Sequence, residues 1–443
     1  MYTLAELAKQ IQTVLGATAD QLAKTTGFIK RQRKLTGAKF VRTLTLGFLQ
    51  KPAATMEELA QSGVLNEVEM SPQGLDKRFT EEATTFLQQV LEEAVKTVVL
   101  APQPVPIELL NRFAAVWLLD TTVLRLPDEL EQVWSGTGGR TTQNLQSSVK
   151  VEVGFELTRG QLKGPFLLPG RRADLAGHLP AESFSPGSLR IADLGYFSLV
   201  EMAKLGQEGN FWWSRLRNDT LLATPDGQPL SHEELAFTSL KANHQRLERL
   251  VLLGEQKLPA RLLLERVPTV VAAQRRAQIK NRGRKKGQTP SRKTLALCEF
   301  TMLITNVPNT QLSFDEALVL YAARWQIELL FKLWKSHAKL GISRSQKPWR
   351  ILCEIYAKLL AVLVQHWVIL LGCWNHPNRS LIKAAQVIRD LAPLLAISFG
   401  QLSKLTKALR IILKSLSHGC RQPSRRKHRN TWKTLIDTKP VWA

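Results

Sequence analysis

Residues 321–335 read YAARWQIELLFKLWK and are the most informative stretch of this 443-residue chain. The stretch lies in a predicted helix, residues 314–340, with Ser313 and Glu316 as a capping box and Gly341 as the stop. Four polar side chains follow one another at offsets of 0, 3, 7 and 14 residues: Tyr321, Arg324, Glu328 and Lys335. At about 100° per residue they share one helix face within about 60°. An acid flanked by cations suits a metal ligand beside a phosphate, and the alternative is a surface stripe with an Arg324–Glu328 ion pair.

Two further acids end predicted strands upstream of this helix. FAAVWLLD, residues 113–120, is an apolar run that ends at Asp120, and SLRIAD, residues 188–193, ends at Asp193. SVKVEVGFEL, residues 148–157, alternates like a half-exposed strand. A helix over residues 197–205 and a strand over 210–217 complete a strand–helix–strand unit and predict an α/β core. Acids that converge from strand ends could bind the two Mg²⁺ ions that serve phosphodiester chemistry.

The pattern Tyr-x2-Arg-x3-Glu-x6-Lys resembles the signature of the bacterial transposases called the fourth insertion-sequence family, which are cut-and-paste enzymes of the Asp-Asp-Glu type. LLDTT at 118–122 and ADLGYF at 192–197 resemble the blocks that carry this family's two aspartates. The resemblance implies a ribonuclease H-like catalytic core, with Asp120, Asp193 and Glu328 binding two Mg²⁺ ions that Mn²⁺ can replace. It also implies that phosphates of the transposon end are held by Tyr321, Arg324 and Lys335, with Lys332 as a further candidate.

The resemblance and the pattern together predict four regions. A helical DNA-binding domain covers residues 1–101, with loops near Gly37 and over 47–52 and a boundary at the prolines of 102–106. The ribonuclease H-like core covers 107–217 and 311–345, and a β-rich insertion, 218–310, interrupts it. Within the insertion, 233–255 is helix-compatible, and strands are expected over 261–271 and 296–304. A helical C-terminal domain, 346–443, is expected to contribute to a dimer.

One stretch of the N-terminal region, residues 55–79, has the layout of a helix-turn-helix. MEELAQ predicts a short helix, SGVLNE a turn, and Ser71-Pro72 an N-cap followed by proline at the first helical position. Gln73, Lys77 and Arg78 would then meet DNA. An ordinary helical hairpin explains the same pattern.

The insertion contains a basic stretch, RRAQIKNRGRKKGQTPSRK at 275–293, with nine Lys or Arg and no acid. We interpret it as a loop, either solvated or ordered on a phosphate backbone through Arg282, Arg284, Lys285 and Lys286. Well-studied members of the family stack a flipped base on a tryptophan just before the last strand of the insertion. CEFTMLITNVP occupies that position here, so Phe300 is the stacking candidate and a hairpin intermediate is an open hypothesis. Trp212 and Trp213 are expected to pack in the core.

Composition points to a polyanionic partner. Lys plus Arg number 61 against 37 Asp plus Glu, which gives a net charge of +24. The four cysteines form no C-x-x-C pair, so we expect neither a zinc site nor a disulfide framework. LLAVLVQHWVILLGCW, residues 359–374, is short for a membrane span and is interpreted as a buried core helix, with a transmembrane helix as the alternative. No signal-peptide pattern opens the chain, and a cytoplasmic protein associated with the bacterial nucleoid is expected.

The function predicted from these features is cut-and-paste transposition. A homodimer would bind terminal inverted repeats in double-stranded DNA, cleave at the transposon ends and transfer them into target DNA. Two alternatives remain: a DNA-binding protein without catalysis, and a structure-specific nuclease on the same fold. The charge alone would also fit a ribosomal or membrane-surface protein, but neither accounts for the three acids.

Overall fold

A computed structural model describes residues 2–31, 34–136, 147–235, 245–285, 287–422 and 431–438. The chain divides into two compact units. Unit 1 comprises Met1–Glu108, Asp120–Arg172 and Trp325–Lys433, and unit 2 comprises Leu109–Leu119, Ala173–Arg324 and Thr434–Ala443. Each unit is therefore assembled from segments that are distant in sequence.

The α-helices are α1 (Leu4–Gln12), α2 (Ala19–Thr25), α3 (Gly37–Gln50), α4 (Met56–Leu65), α5 (Pro72–Asp76), α6 (Glu81–Lys96), α7 (Glu108–Asn111), α8 (Leu199–Gln207), α9 (Thr269–Lys285), α10 (Arg292–Ala296), α11 (Phe314–Ala322), α12 (Trp325–Lys332), α13 (Pro348–Cys373), α14 (Leu381–Ser398), α15 (Leu402–Gly419) and α16 (Thr431–Asp437). The strands are β1 (Val116–Arg125), β2 (Ser148–Glu156), β3 (Leu162–Pro169), β4 (Leu189–Ala192), β5 (Phe211–Arg215), β6 (Leu222–Ala223), β7 (Pro229–Leu230), β8 (Arg246–Leu253), β9 (Leu258–Arg266) and β10 (Phe300–Thr305).

The helices of unit 1 begin at well-formed N-caps. Thr3 with Glu6 and Thr55 with Glu58 form capping boxes that satisfy the first backbone donors of α1 and α4. The region is helical, and the loop expected near Gly37 ends at Thr36, the N-cap of α3. The loop expected over 47–52 is wrong at its start, because α3 continues through Gln50. A side chain at Gly37 would press against Ala19 and Ala23 of α2, so glycine allows the two helices to approach closely.

Helix α13 is the core of unit 1. It is the one helix of the described chain that is long and apolar enough to cross a membrane, and 89% of its most apolar window is buried inside the protein. The interpretation of this segment as a buried core helix is confirmed.

Strands β2 and β3 form an antiparallel hairpin in unit 1. The prediction of a half-exposed strand is wrong, because nearly every residue of β2 is buried. Helix α13 covers it: the Trp374 ring lies 5.6 Å from the Phe155 ring, and His366 Nε2 donates to the Gly160 carbonyl at 2.7 Å. The buried Glu156 carboxylate accepts the backbone N–H of Thr158 at 2.6 Å, which explains how a charged residue is tolerated there.

Unit 2 is built on a mixed sheet. The first residues of β1 pair in parallel with β4, and β4 pairs in parallel with β5. Antiparallel strands extend the sheet in the order β10, β9, β8, β6, β7. Trp212 and Trp213 of β5 are 2% and 1% exposed, so their predicted core packing is confirmed.

Two expectations for residues 218–310 are wrong. Residues 246–253 form β8, although Leu, Arg and Glu favour helices, because eight register pairs with β9 outweigh local propensity. The basic stretch is mostly helical and not a loop, since α9 continues to Lys285 and α10 begins at Arg292. Its Ala, Gln, Arg and Lys residues are good helix formers, and side-chain contacts anchor its start. Arg275 donates to the Phe300 carbonyl and the Thr301 hydroxyl, both at 3.0 Å.

Candidate active site

Asp193 directly follows the last residue of the buried strand β4 and is the first exposed residue of the loop after it. The carboxylate is the N-cap of a single 3-10 turn, Leu194–Tyr196, and its Oδ1 accepts the Gly195 N–H at 2.6 Å. The strand holds the backbone in place while the side chain is exposed. The predicted strand-end acid is therefore present at the carboxyl edge of a parallel strand, the edge at which α/β sheets bind ligands.

The turn after Asp193 is exposed at Gly195 and lies close to the Asp174 side chain. A Cβ on Gly195 would lie 2.6 Å from Asp174 Oδ2, whereas Tyr196 is buried. The glycine leaves room for a second carboxylate next to the one at Asp193. The sequence motif ADLGYF thus has a steric reason for its glycine.

Asp120 occupies a different position from the one predicted. Strand β1 continues through Arg125, so Asp120 lies within the strand and not at its end. The parallel pairing with β4, however, ends at Leu119, which pairs with Ala192. Asp120 and Asp193 are the residues that directly follow this last pair. Asp120 Oδ1 accepts the neighbouring Thr121 N–H at 2.8 Å.

The predicted single helix over 314–340 is interrupted. Its capping box at Ser313 and Glu316 is confirmed, but α11 ends at Ala322 and α12 begins at Trp325. The Arg324 N–H bonds the Tyr321 carbonyl three residues back, which tightens the backbone there. Tyr321 and Arg324 lie in unit 2, whereas Glu328 and Lys335 lie in unit 1. The prediction that these four side chains share one face of a continuous helix is therefore wrong. The segment ends in a π-helical turn, Leu333–His337, before Gly341.

In unit 1, Glu328 sits half-buried in the first turn of α12. Lys335 is on the π-helical turn that follows, and its Nζ donates to the Val123 carbonyl of β1 at 2.9 Å. This bond ties the helix to the strand three residues beyond Asp120. Burial lowers the pKa of Lys335. Lys332 is exposed at the end of α12.

In unit 2, Tyr321 lies within a cationic cluster. Arg324 donates a hydrogen bond to its hydroxyl, and its ring makes an edge contact with Trp213 at 6.5 Å. Burial raises the pKa of Tyr321, and the Asp193 carboxylate raises it further, while Arg215 and Arg324 oppose the shift. The structure thus brings Asp193, Tyr321 and Arg324 into one neighbourhood, and their joint action on a substrate stays a prediction.

Two further arginines belong to this neighbourhood: Arg215 was missed from the sequence, and Arg275 was included only as the first residue of the basic stretch 275–293. Arg215 is the exposed last residue of β5, and Arg275 lies on α9. Burial lowers the pKa of Arg275, and the positive charge of Arg215 lowers it further. Both line a cavity of about 300 Å³ together with Arg282 and Phe300. The only sequence signal for Arg215 was its place at a strand end, as for Asp193.

The remaining candidates are scattered. Phe300 is 3% exposed at the start of β10, with the Arg266 guanidinium 5.3 Å from its ring, so its base-stacking role stays a prediction. Arg282, Arg284 and Lys285 are exposed on α9, and Lys286 is outside the described residues. Gln73, Lys77 and Arg78 are exposed on or just after α5, which begins after the N-cap Ser71 as predicted. The predicted turn SGVLNE is wrong in part, because α4 continues through Leu65.

The three predicted metal ligands are all carboxylates. In the part of the chain that the structure describes, no three His, Cys, Asp or Glu side chains are gathered into a group that could hold a metal ion as they stand. The carboxylates of Asp120, Asp193 and Glu328 are nevertheless oxygen donors of the kind that Mg²⁺ prefers. The four cysteines are free and buried.

Comparison with known proteins defines the class of this fold and site as an enzyme that acts on DNA. The family model described as the transposase DDE domain matches residues 111–364, more than half of the chain. The chain belongs to this family, whose fold is ribonuclease H-like, as predicted. The match covers Asp120, Asp193 and Glu328 and leaves α1 to α6 outside.

Curated relatives are similar along most of their length. The transposase for insertion sequence element IS231F of Bacillus thuringiensis subsp. israelensis is 27% identical over 94% of this chain and 91% of its own. The transposase for IS231B of Bacillus thuringiensis subsp. berliner has the same identity and coverage. The transposase for IS1151 of Clostridium perfringens is 23% identical over 79% of this chain and 77% of its own.

Proposed function

We propose that this protein is a cut-and-paste transposase of an insertion sequence, of the fourth insertion-sequence family. The observation that carries the proposal is the cluster in unit 2, where Tyr321 interacts electrostatically with Arg215, Arg324 and the exposed Asp193 carboxylate. A carboxylate next to several cationic donors can hold a metal ion and the phosphate on which it acts. The transposase names of the relatives and their near full-length match support the same function.

Asp120 and Glu328 complete the proposed metal-binding set. Asp120 follows Leu119 just as Asp193 follows Ala192, the last residues of the parallel pairing. Glu328 lies on α12, and the Lys335 bond to Val123 holds the following turn against the strand that contains Asp120. Two Mg²⁺ ions, or Mn²⁺, would lower the pKa of the attacking oxygen and stabilise charge on the phosphate.

The cations serve substrate positioning. Arg324 and Arg215 can each grip a phosphate through two N–H donors, and Tyr321 offers a hydroxyl held in place by Arg324. Lys335 and Lys332 supply charge near Glu328. These contacts would fix the DNA backbone against the three acids without reading sequence.

The larger assembly follows from the reaction. Two transposon ends must be handled together, so we propose a homodimer on double-stranded DNA, with the helices after residue 346 contributing to the interface. The organisation into a helical DNA-binding region, a ribonuclease H-like core, a β-rich insertion and a helical C-terminal region belongs to this proposal. So do the cytoplasmic location and a hairpin step at Phe300.

Conservative substitution of each acid tests the proposal. Asp120→Asn and Asp193→Asn keep the oxygen that accepts the neighbouring N–H, and Glu328→Gln keeps its size, so the fold is retained while metal binding is lost. We expect cleavage and strand transfer to fall to background and duplex binding to persist. The assay uses Mg²⁺ and supercoiled DNA that carries the sequences flanking the gene.

Matched controls are Glu129→Gln in unit 1 and Asp226→Asn in unit 2, two exposed acids outside the proposed site. Both should cleave like the natural protein. Full cleavage by any of the three acid variants removes that residue from the proposed site. Cleavage without joining by the natural protein would favour the nuclease alternative.

A further inference from the structure

A groove of about 590 Å³ opens in the N-terminal part of unit 1. Described parts of three connections line it: residues 27–31 and 34–35 after α2, residues 69–70 between α4 and α5, and residues 77, 78 and 80 between α5 and α6. Its cationic residues, together called the basic groove here, are Lys30, Arg31, Lys34, Lys77 and Arg78, and Phe28 forms part of its wall.

The positive charges of the basic groove are only partly offset by the protein, and Lys30 interacts electrostatically with Glu82. All five cationic side chains are exposed, and none forms a salt bridge or side-chain hydrogen bond with another described residue. Two carboxylates, Glu69 and Glu82, also line the groove, which leaves an excess of three positive charges. An excess of exposed cations around one concave surface is the electrostatic footprint of a polyanion site.

The geometry argues against sequence reading by α5. That helix has five residues, Pro72–Asp76, so it is too short to lie along a major groove and present several side chains to bases. It is also tethered: Asp76 accepts from Lys347 at 2.6 Å and from Arg350 at 3.0 Å. These two cations lower the pKa of Asp76. Lys77 and Arg78 follow the last residue of α5 and line the basic groove together with Lys30, Arg31 and Lys34.

We propose that the basic groove binds the phosphate backbone of double-stranded DNA and contributes affinity without sequence preference. The inference rests on the proposed function for the identity of the polyanion. It adds Lys30, Arg31 and Lys34, which no motif had singled out, and it assigns Lys77 and Arg78 to phosphates instead of base edges. Lys and Arg in a concave surface meet phosphates of any sequence, because each contact releases counterions and reads no base.

The test compares duplex binding by fluorescence anisotropy over a range of salt concentrations without divalent metal. The variant is Lys30→Ala with Arg31→Ala and Lys34→Ala, and the probes are a gene-flanking duplex and an unrelated duplex of equal length. Removing three phosphate contacts should raise Kd about 100-fold at 0.1 M salt and flatten the slope of log K against log salt by about 2.7. Both duplexes should lose affinity by the same factor.

Two controls separate charge loss at this surface from other causes. Lys9→Ala with Lys404→Ala and Lys407→Ala removes the same charge from exposed positions of unit 1 outside the groove and should bind like the natural protein. Lys30→Arg with Arg31→Lys and Lys34→Arg keeps the charge and should restore binding. Circular dichroism confirms that each variant is folded.

The outcomes are distinct. An unchanged Kd and an unchanged salt slope for the alanine variant would overturn the proposal that the basic groove binds DNA, even if the acid variants behave as proposed. Loss confined to the gene-flanking duplex also overturns it, because the residues would then read sequence. If the natural protein binds neither duplex, the proposed function itself is wrong, and the failure does not concern the basic groove alone.

Discussion

At the scale of single residues, Asp193 shows what local sequence can and cannot reveal. A buried run that ends in an acid predicted its position at the edge of the sheet, and the following turn explains why the side chain faces solvent. The proximity of Asp174 to Gly195 depends on a contact across 21 residues, which no local pattern encodes. Arg215 and Tyr321 are separated by 106 positions and meet only in the folded chain.

Gly195→Ala should impair cleavage while the protein remains folded. The added methyl group would lie 2.6 Å from Asp174 Oδ2, so either the Asp174 carboxylate or the turn that Asp193 caps must shift. We expect Asp193 to lose its position and the cleavage rate to fall. Cleavage assays and thermal unfolding report the two effects separately.

The double variant Gly195→Ala with Asp174→Ala removes the crowding atom and should regain cleavage relative to Gly195→Ala alone. The matched control is Gly187→Ala, which is strained by a φ of +81° yet lies away from the Asp193 turn, so it should lose stability and keep activity. Full activity of Gly195→Ala would show that the turn tolerates the methyl group and that its packing does not position Asp193.

At the scale of elements, the segment over 313–340 shows that the sequence can predict where a helix begins without predicting where it is interrupted. The capping box fixed its start, and the residue spacing identified the chemical groups. The interruption of the helix at Ala323 and Arg324 could not be predicted, because Ala, Arg and Trp are compatible with a continuous helix. The tight turn there depends on tertiary packing. In α9, the high positive charge of residues 275–285 suggests a loop, but their strong helix propensity favours the helix that the structure shows.

Helix α13 gives unit 1 a pH-dependent stability. His366 is buried, and burial lowers its pKa to about 4, with Arg379 lowering and the Gly160 bond raising it. Its pKa when unfolded is about 6.5. Below pH 6.5 the unfolded chain therefore binds a proton that the folded chain does not. The stability contributed by the neutral ring is present above pH 6.5 and declines as the pH falls toward 4.

His366→Gln should reduce this dependence. Between pH 7.5 and 5.0 the natural protein should lose about 2 kcal/mol of unfolding free energy through this residue, and the variant should not lose that part. Urea unfolding at both pH values measures the difference. Exposed His418→Gln is the control and should follow the natural protein. Equal pH dependence in His366→Gln and the natural protein would assign the acid sensitivity to other groups.

At the scale of the whole molecule, composition predicted the partner class better than it predicted domain organisation. A net charge of +24 pointed to a polyanion, and the family match to a transposase DDE domain agrees. The two units are each assembled from three separated segments, and strand β1 passes from one unit to the other. A linear division of the sequence could not anticipate this, because non-local strand pairing decides it.

The charge is spread over distinct surfaces, so their contributions to DNA affinity should add. Arg215→Ala with Arg324→Ala in unit 2 should flatten the salt slope by about 1.8, and the three alanines in the basic groove by about 2.7. Residues that share no partner contribute independently, so the combined variant should lose the sum, about 4.5. Anisotropy titrations with the gene-flanking duplex give all three slopes. A combined slope no flatter than that of the groove variant would mean that the cations around Tyr321 do not touch DNA before metal binds, and it would confine their role to the cleavage step.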